Sequence, residues 1–207
     1  MSTNQDDVTA RLADRVKDLR TERGYSLDAL AARSGVSRSA ISTIERATTS
    51  PTAVVLEKLA TGLGVPLASL FDAPGRGHPA PVPSPVARRA DQPVWRDPQS
   101  GYRRRQLSPP GWPSPVQLVE IEFPPGASVA YETAQRDVTI HQQVWVLAGR
   151  IDLTVGDDTH ELATGDCLAL RLDRPTAFHN PTSRPSRYAV VVVTEPQPQP
   201  RSARRAT

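Results

Sequence analysis

The segment from Leu27 to Ile44, LDALAARSGVSRSAISTI, constrains the fold of this chain more than any other. Its spacing predicts two short helices joined by a tight turn, with Gly35 supplying the positive φ that ends the first helix. Leu30 and Ala31 fall on the buried side of that helix, and Ala31 is small where the two axes approach. The inward stripe of the second helix consists of Val36, Ile41 and Ile44. The pattern is typical of a helix-turn-helix, whose second helix can enter a DNA major groove.

The flanking residues predict a compact all-α domain of five helices at residues 8–72. A first helix runs from residue 8 to about 23, because its apolar residues recur at helical spacing, and Gly24 closes it. Ser26 and Ser37 are suitable N-caps for the second and third helices. A fourth helix is expected at about 52–62 and a short fifth at about 67–71. The apolar residues expected on the buried face of the first helix are Val8, Leu12, Val16 and Leu19.

The composition limits the classes of protein to which this chain can belong. The net charge of the 207 residues is only +3, and the single cysteine, Cys167, excludes an intramolecular disulfide and fits a reducing compartment. No apolar run approaches the length of a membrane span, and the polar N-terminus lacks a secretory signal. We therefore expect a soluble cytoplasmic protein with no membrane partner. Cys167 is expected to be a buried, inert thiol.

Charge and proline content divide the chain. By count, the net charge is about +2 at 8–72, about +5 at 73–110, about −4 at 111–194 and about +2 in the last thirteen residues. Alternating prolines in residues 73–93 predict a semi-rigid extended linker, which would transmit domain orientation poorly. The Pro- and Arg-rich tail at 195–207 is expected to be disordered.

Residues 94–194 change to a strand pattern. The segments 116–126, 142–170 and 187–193 are rich in β-branched and aromatic residues and are interrupted by Gly, Asp and Pro turns. Many short strands at regular spacing predict a small antiparallel barrel or sandwich, to which residues 94–112 can add an edge strand. The chain as a whole is therefore expected to have an α+β fold in two domains.

Residues 11–71, RLADRVKDLRTERGYSLDALAARSGVSRSAISTIERATTSPTAVVLEKLATGLGVPLASLF, resemble the phage-repressor/Cro-like (XRE-type, lambda-repressor-like) helix-turn-helix domain. Ala47 and Leu27 depart from that family, which usually has Gly or Asn at the first position and often Gln at the second. The resemblance implies that exposed residues of the third helix touch base edges: Arg38, Ser39, Ser42 and Thr43. It implies phosphate contacts at Ser26, Ser37, Thr48 and Thr49.

Arg38 is the expected sequence reader, because a guanidinium can pair bidentately with guanine. The base and phosphate candidates can also be read simply as solvated polar residues on an exposed face. Glu45 and Arg46 lie at the helix end and are expected to form structural ion pairs, with a first-helix arginine as one partner.

Residues 144–180, VWVLAGRIDLTVGDDTHELATGDCLALRLDRPTAFHN, resemble the cupin family through the hairpin ending at Gly149, the Gly165–Asp166 dipeptide and the strand after Pro175. Metal-binding cupins place ligands at positions that match Arg136, Val138, Gln142 and Thr176. Only Gln142 could be a ligand there, and His141 and His179 are displaced by an odd number of residues, which turns a strand side chain outward. We expect no metal or other cofactor, unless a bulge restores a histidine.

The cupin resemblance implies a cavity for a small-molecule effector. The expected lining is Tyr131, Gln142, Val144, Val146, Thr176 and Phe178, with Trp145, His141 and His179 as alternatives if the register differs by one residue. Taken singly, each of these residues could equally be ordinary core or surface.

Together these features predict a sequence-specific regulator, not an enzyme, that binds a roughly palindromic double-stranded DNA operator as a homodimer. Two alternatives remain open: a metal-dependent isomerase or dioxygenase with an accessory helix-turn-helix, and a helix-turn-helix that binds a protein. The sequence leaves open the target genes, the direction of regulation and the identity of the effector.

Overall fold

The computed structural model describes residues 3–71, 84–132 and 138–196. Four α-helices come first: α1 (Thr3–Glu22), α2 (Leu27–Ser34), α3 (Arg38–Glu45) and α4 (Ala53–Gly62). None of the helices in these ranges is long and apolar enough to cross a membrane. The helices pack around the predicted stripes, since Val8, Leu12, Val16, Leu19, Leu30, Val36, Ile41 and Ile44 are all buried.

Side-chain caps fix where these helices begin. The Ser26 hydroxyl accepts a hydrogen bond from the Ala29 backbone N–H, and the Ser37 hydroxyl accepts one from Ala40. Gly35 follows α2 with φ +68°, in the left-handed region that a residue without Cβ adopts readily. The two predicted caps and the predicted turn are confirmed.

The prediction of five α-helices is wrong. Leu67–Phe71 forms a 3-10 helix of five residues, which begins after Pro66 and includes a backbone bond from Ser69 N–H to the Pro66 carbonyl. Such tight turns are seldom longer than a few residues because side chains three apart eclipse. Ala47 has φ +54°, so the loop after α3 holds a non-glycine residue in the left-handed region.

The described residues of the cupin-like half form ten strands, all in antiparallel pairs. They are β1 (Val94–Arg96), β2 (Arg103–Gln106), β3 (Val116–Phe123), β4 (Ser128–Tyr131), β5 (Val138–Ala148), β6 (Arg150–Val155), β7 (Asp158–Ala163), β8 (Cys167–Arg171), β9 (Thr176–His179) and β10 (Ser186–Pro196). The possible edge strand in 94–112 is present as β1 and β2.

The expected closed barrel is instead a pair of sheets. The strand order is β1-β2-β3-β10-β5-β8 in one sheet and β4-β9-β6-β7 in the other, and within the described residues the sheet ladders do not join them. The chain changes sheet between β5 and β6 at Gly149, whose φ is +83°. Along β5, Ile140, Gln142, Val144 and Val146 point inward, whereas Trp145 on the opposite face is 50% exposed.

The two domains pack directly against each other. The ring of Phe71 meets that of Trp95 edge-on at 5.8 Å between centroids. The Asp97 carboxylate accepts the Ala53 backbone N–H at 2.8 Å, at the start of α4. Of the predicted linker 73–93, residues 84–93 precede β1 without helix or strand and the rest lies outside the described residues, as does 197–207 of the predicted tail.

Candidate DNA interface and ligand cavity

Helix α3 presents its N-terminal half to solvent. Ile41 and Ile44 bury the opposite face, so Arg38 and Ser39 stand exposed at the outer surface. Arg38 Nε lies 3.3 Å from Asp28 Oδ1, with side chains 65% and 76% exposed. An ion pair this exposed contributes at most about 1 kcal/mol, so it does not prevent Arg38 from reaching a base.

The other residues predicted to contact DNA lie around this exposed face of α3. Ser42 and Thr43 are half-buried on α3, and the Thr43 hydroxyl donates to the carbonyls of Ser39 and Ala40. Ser26 and Ser37 cap the N-termini of α2 and α3, where backbone N–H groups and the helix dipole favour a phosphate. Thr48 and Thr49 are exposed in the loop after α3. The structure thus places the eight candidates on or next to α3 and at the start of α2.

An ion pair fixes α3 to α1. Arg20 Nε and Nη2 donate to the two carboxylate oxygens of Glu45 at 2.6 and 2.8 Å, and the side chains are only 13% and 7% exposed. The hydrogen bond from Arg20 to Glu45 raises the pKa of the guanidinium above its usual value, against the opposing effect of burial. The prediction that Glu45 pairs with a first-helix arginine is confirmed, whereas Arg46 donates to the Ser42 carbonyl.

A cavity of about 80 Å³ lies where the two domains meet. The helical domain contributes Glu57 of α4 and the segment from Pro66 to Ala68. The cupin-like domain contributes most of the wall. Its apolar part consists of Ile121, Phe123, Val129, Leu172, Phe178, Val190 and Val192, and its polar part of Tyr102, Arg104, Tyr131, Gln142, Thr176 and Tyr188.

Within the described residues, several polar side chains of the cavity wall make no hydrogen bond or only a long one. Gln142 and Thr176 are 8% and 4% exposed, and within the described residues neither side chain, nor the Tyr188 hydroxyl, has a hydrogen-bond partner. The hydroxyls of Tyr102 and Tyr131 lie 3.4 Å apart, a long hydrogen bond. Polar groups buried in this way are normally satisfied by water or by a ligand.

Burial keeps the cavity tyrosines protonated. It raises the pKa of Tyr102 to about 12, although the charge of Arg104 acts to lower it. Burial likewise raises the pKa of Tyr131 and of Tyr188 well above the usual value. All three phenols therefore stay protonated at neutral pH, and the hydrogen bond between Tyr102 and Tyr131 uses the O–H of one of those two residues.

Two family models match the chain in the regions just described. A helix-turn-helix model covers residues 16–70, and a cupin-domain model covers residues 119–193. The chain combines an XRE-type helix-turn-helix domain with a cupin domain, and this combination supports the function of a DNA-binding transcription regulator. The helix-turn-helix is the DNA-binding part of the regulator.

Relatives share this organisation to different extents. The HTH-type transcriptional regulator SutR of Escherichia coli (strain K12) is 28% identical over 169 residues, which is 82% of this chain and 86% of that protein. The HTH-type transcriptional regulator SinR of Bacillus subtilis (strain 168) is 42% identical over 62 residues, 30% of this chain and 56% of that protein. A crystal structure of an HTH_3 family transcriptional regulator from Vibrio cholerae covers 94% of this chain and 99% of its own, with TM-score 0.70 and 23% identity, and it supports the two-domain fold.

The structure brings four of the six predicted cavity residues of the regulator together: Tyr131, Gln142, Thr176 and Phe178. Val144 and Val146 point inward but are buried in the core at 0% and 1% exposure, beside the cavity rather than in its wall. The contributions of Glu57, Leu67, Tyr102, Arg104 and Tyr188 were missed. Only Tyr188 carried a sequence signal, because it alternates along β10 with Val190 and Val192.

The histidines considered as metal ligands lie in β5 and β9, with their side chains on the exposed outer faces of the sheets. His141 Nε2 is 3.4 Å from Glu195 Oε2, and His179 Nδ1 is 3.6 Å from Asp152 Oδ2, with both histidine side chains nearly half exposed. Val138 is half-buried at the start of β5, and Arg136 lies outside the described residues. Across 3–71, 84–132 and 138–196, no three His, Cys, Asp or Glu side chains are grouped so as to hold a metal.

The prediction of a buried Cys167 is wrong. The thiol is exposed, because Cys167 begins β8, the edge strand of the six-stranded sheet, and its side chain points to the outer face beside Trp145.

Proposed function

We propose that the regulator reads an operator half-site with α3, acts as a homodimer, and responds to a small effector bound in the cavity between its domains. The observation that carries the DNA-reading part is the exposed outer face of α3, held rigidly against α1 by the Arg20–Glu45 pair. A recognition element must hold its side chains in a fixed geometry to distinguish base edges.

In this proposal Arg38 gives most of the sequence discrimination. A bidentate arginine–guanine contact is worth about 1–3 kcal/mol against the wrong base. Ser39, Ser42 and Thr43 provide the other base contacts. Ser26, Ser37, Thr48 and Thr49 contact phosphates and set the register of α3 in the groove.

Dimerisation follows from the size of the recognition surface. One short helix contacts only a few base pairs, so useful specificity requires two half-sites about one helical turn apart. The outer face of the six-stranded sheet offers apolar surface for a second copy, since Trp145 is 50% and Val116 is 41% exposed. The homodimer is therefore proposed to form through the cupin domains.

The cupin domain is proposed to bind rather than to catalyse, without a metal or other cofactor, and the regulator to act in the cytoplasm. SutR and SinR are both HTH-type transcriptional regulators, which supports this assignment. Effector and operator would then affect each other's affinity reciprocally. The unpartnered Gln142 and Thr176 side chains support the cavity as the proposed effector site.

The test is a selection of bound sequences from a random DNA pool with the full chain at near-physiological salt. We expect a two-fold symmetric motif with half-sites about one turn apart. Arg38→Ala should relax the preference at one base pair of each half-site, whereas Arg171→Ala should not, because Arg171 is equally exposed on the cupin domain. Binding without any motif, fading steeply with salt, would show attraction to phosphates alone and would refute the proposal.

A further inference from the structure

The cavity wall is shared between the domains. Glu57 of α4 and Leu67 of the 3-10 helix border the same space as Gln142, Thr176 and Tyr188 of the cupin domain. A ligand that fills this space therefore contacts both domains at once. Such a ligand has a different affinity for the packed and the separated arrangement, which is what a conformational response requires.

The charges in the wall select the ligand. Glu57 and Arg104 both border the cavity and carry opposite formal charges. The other polar groups of the wall are neutral, and the formal charge of the lining is zero. A ligand with net charge would lose its hydration there without a compensating opposite charge, which is unfavourable.

The size and the surface of the cavity restrict the ligand further. A volume of about 80 Å³ corresponds to roughly six water molecules at about 10–15 Å³ each. Much of the wall is aliphatic and aromatic, and Gln142, Thr176 and Tyr188 supply donors and acceptors. The matching ligand has an apolar body of a few carbon atoms and one or two hydroxyl, carbonyl or amide groups.

We propose that the effector is a small molecule of no net charge, with an apolar body and hydrogen-bonding groups for Gln142, Thr176 and Tyr188, and that its binding holds the helix-turn-helix domain against the cupin domain. This inference rests on the proposed effector function and adds its chemical class and its coupling. The coupling runs through α4, which borders the cavity and also packs against α2 of the helix-turn-helix.

The contacts that hold α4 in place lie outside the cavity wall and can be changed separately. Asp97 accepts the Ala53 N–H at 2.8 Å, and the same carboxylate accepts the backbone N–H of Ser100 at 2.7 Å. Lys58 Nζ lies 3.1 Å from Glu132 Oε2 across the same interface. A variant at either position weakens domain packing without removing a group that touches the ligand.

The experiment uses the full chain and phenol as the probe, with toluene and benzoate as comparisons of similar shape. Ligand-observed NMR titration gives the affinities. We expect phenol to bind, toluene to bind more weakly, and benzoate to bind least. Thr176→Val should weaken phenol binding by about fivefold to tenfold through the loss of one hydrogen bond, and Thr139→Val, on the outward face of β5, should leave it unchanged.

Coupling is tested with Asp97→Asn and Lys58→Met. Both should weaken phenol binding although neither residue lines the cavity, and Lys58→Met serves as the milder variant if Asp97→Asn unfolds the chain. Equal phenol affinity in the wild type and in a folded packing variant would refute the coupling. Absence of phenol binding, or tighter binding of benzoate, would refute the ligand class. Operator selection, measured without ligand, decides the DNA-reading function independently of these results.

Discussion

Replacing Glu45 by Gln tests whether the ion pair between α1 and α3 supports the recognition helix. Arg20 donates to both Glu45 oxygens and, through Nη1, to the Tyr25 carbonyl at 2.8 Å. Glutamine keeps the size of the side chain but loses the charge and one acceptor. The Arg20 guanidinium then stays largely buried beside a neutral partner, which is costly in a region of restricted solvent access.

The expected loss follows from burial. Removing one partner of a fully buried pair costs roughly 3–5 kcal/mol, and with side chains 13% and 7% exposed we expect a loss of unfolding free energy of about 2–4 kcal/mol. Arg103–Glu122 is the matched control, since its atoms are 3.2 Å apart but the side chains are 48% and 49% exposed. Glu122→Gln should cost less than about 1 kcal/mol.

Urea unfolding followed by circular dichroism measures both variants under the same conditions. The double variant Arg20→Met/Glu45→Leu should recover most of the loss, because it removes the unpaired charge as well as the pair. A Glu45→Gln cost no larger than that of Glu122→Gln would refute the reasoning, since burial would then not govern the strength of the pair.

Four further predictions concern single sites. Ala47→Gly should stabilise the helical domain by about 0.5–1 kcal/mol in urea unfolding, because Ala47 has φ +54° and the left-handed conformation costs an L-residue about 1–2 kcal/mol. The larger conformational entropy that glycine loses on folding offsets part of this gain. Gly62→Ala should destabilise by about 1–3 kcal/mol, although alanine favours helices, because its Cβ would lie 2.8 Å from Ser34 Cβ. Arg38→Ala should weaken binding to the selected operator by about 1–3 kcal/mol in a fluorescence titration. The unfolding free energy should fall between pH 10 and 12, because unfolded tyrosines ionise near pH 10 whereas the pKa of Tyr102 is about 12. Tyr102→Phe should reduce that fall.

Each of these has a contrary result. A neutral Ala47→Gly would mean that the loop is not strained, and a stabilising Gly62→Ala would mean that α2 and α4 can separate without cost. Equal operator affinity with and without the Arg38 side chain would remove it as a base reader. An unfolding free energy unchanged up to pH 12 would mean that the cavity phenols are as hydrated as those of the unfolded chain.

The helix-turn-helix could be predicted closely because its signals are local. The hydroxyl of Ser37, the glycine at position 35 and the apolar spacing around Ile41 each act within one or two turns of chain. The exception was Leu67–Phe71, in which four of the five residues are apolar and the sequence suits either helix type; its hydrogen bonds make it a 3-10 helix. Side-chain alternation also predicted the inward positions of Gln142 and Val144.

The meeting of the two domains could not be predicted from the sequence. The contact between Asp97 and Ala53 joins residues 44 positions apart, and nothing local to either residue indicates the partner. The proline-rich segment suggested a linker that separates the domains. It gave no information on the packing of Phe71 against Trp95 or on the part of Glu57 in the cavity wall.

Aromatic rings form a continuous series that begins in the helical domain and continues into the cavity wall. From Phe71 the neighbouring centroids run through Trp95, Tyr102, Phe123, Tyr188 and Phe178 to Tyr131 at separations of 5.7–6.2 Å. Trp95, only 1% exposed, packs directly against Phe71 of the helical domain. Exchanging either half for that of another regulator would therefore uncover or mismatch this apolar surface. The two halves constrain each other's evolution, and a successful chimera would have to carry its boundary rings with it.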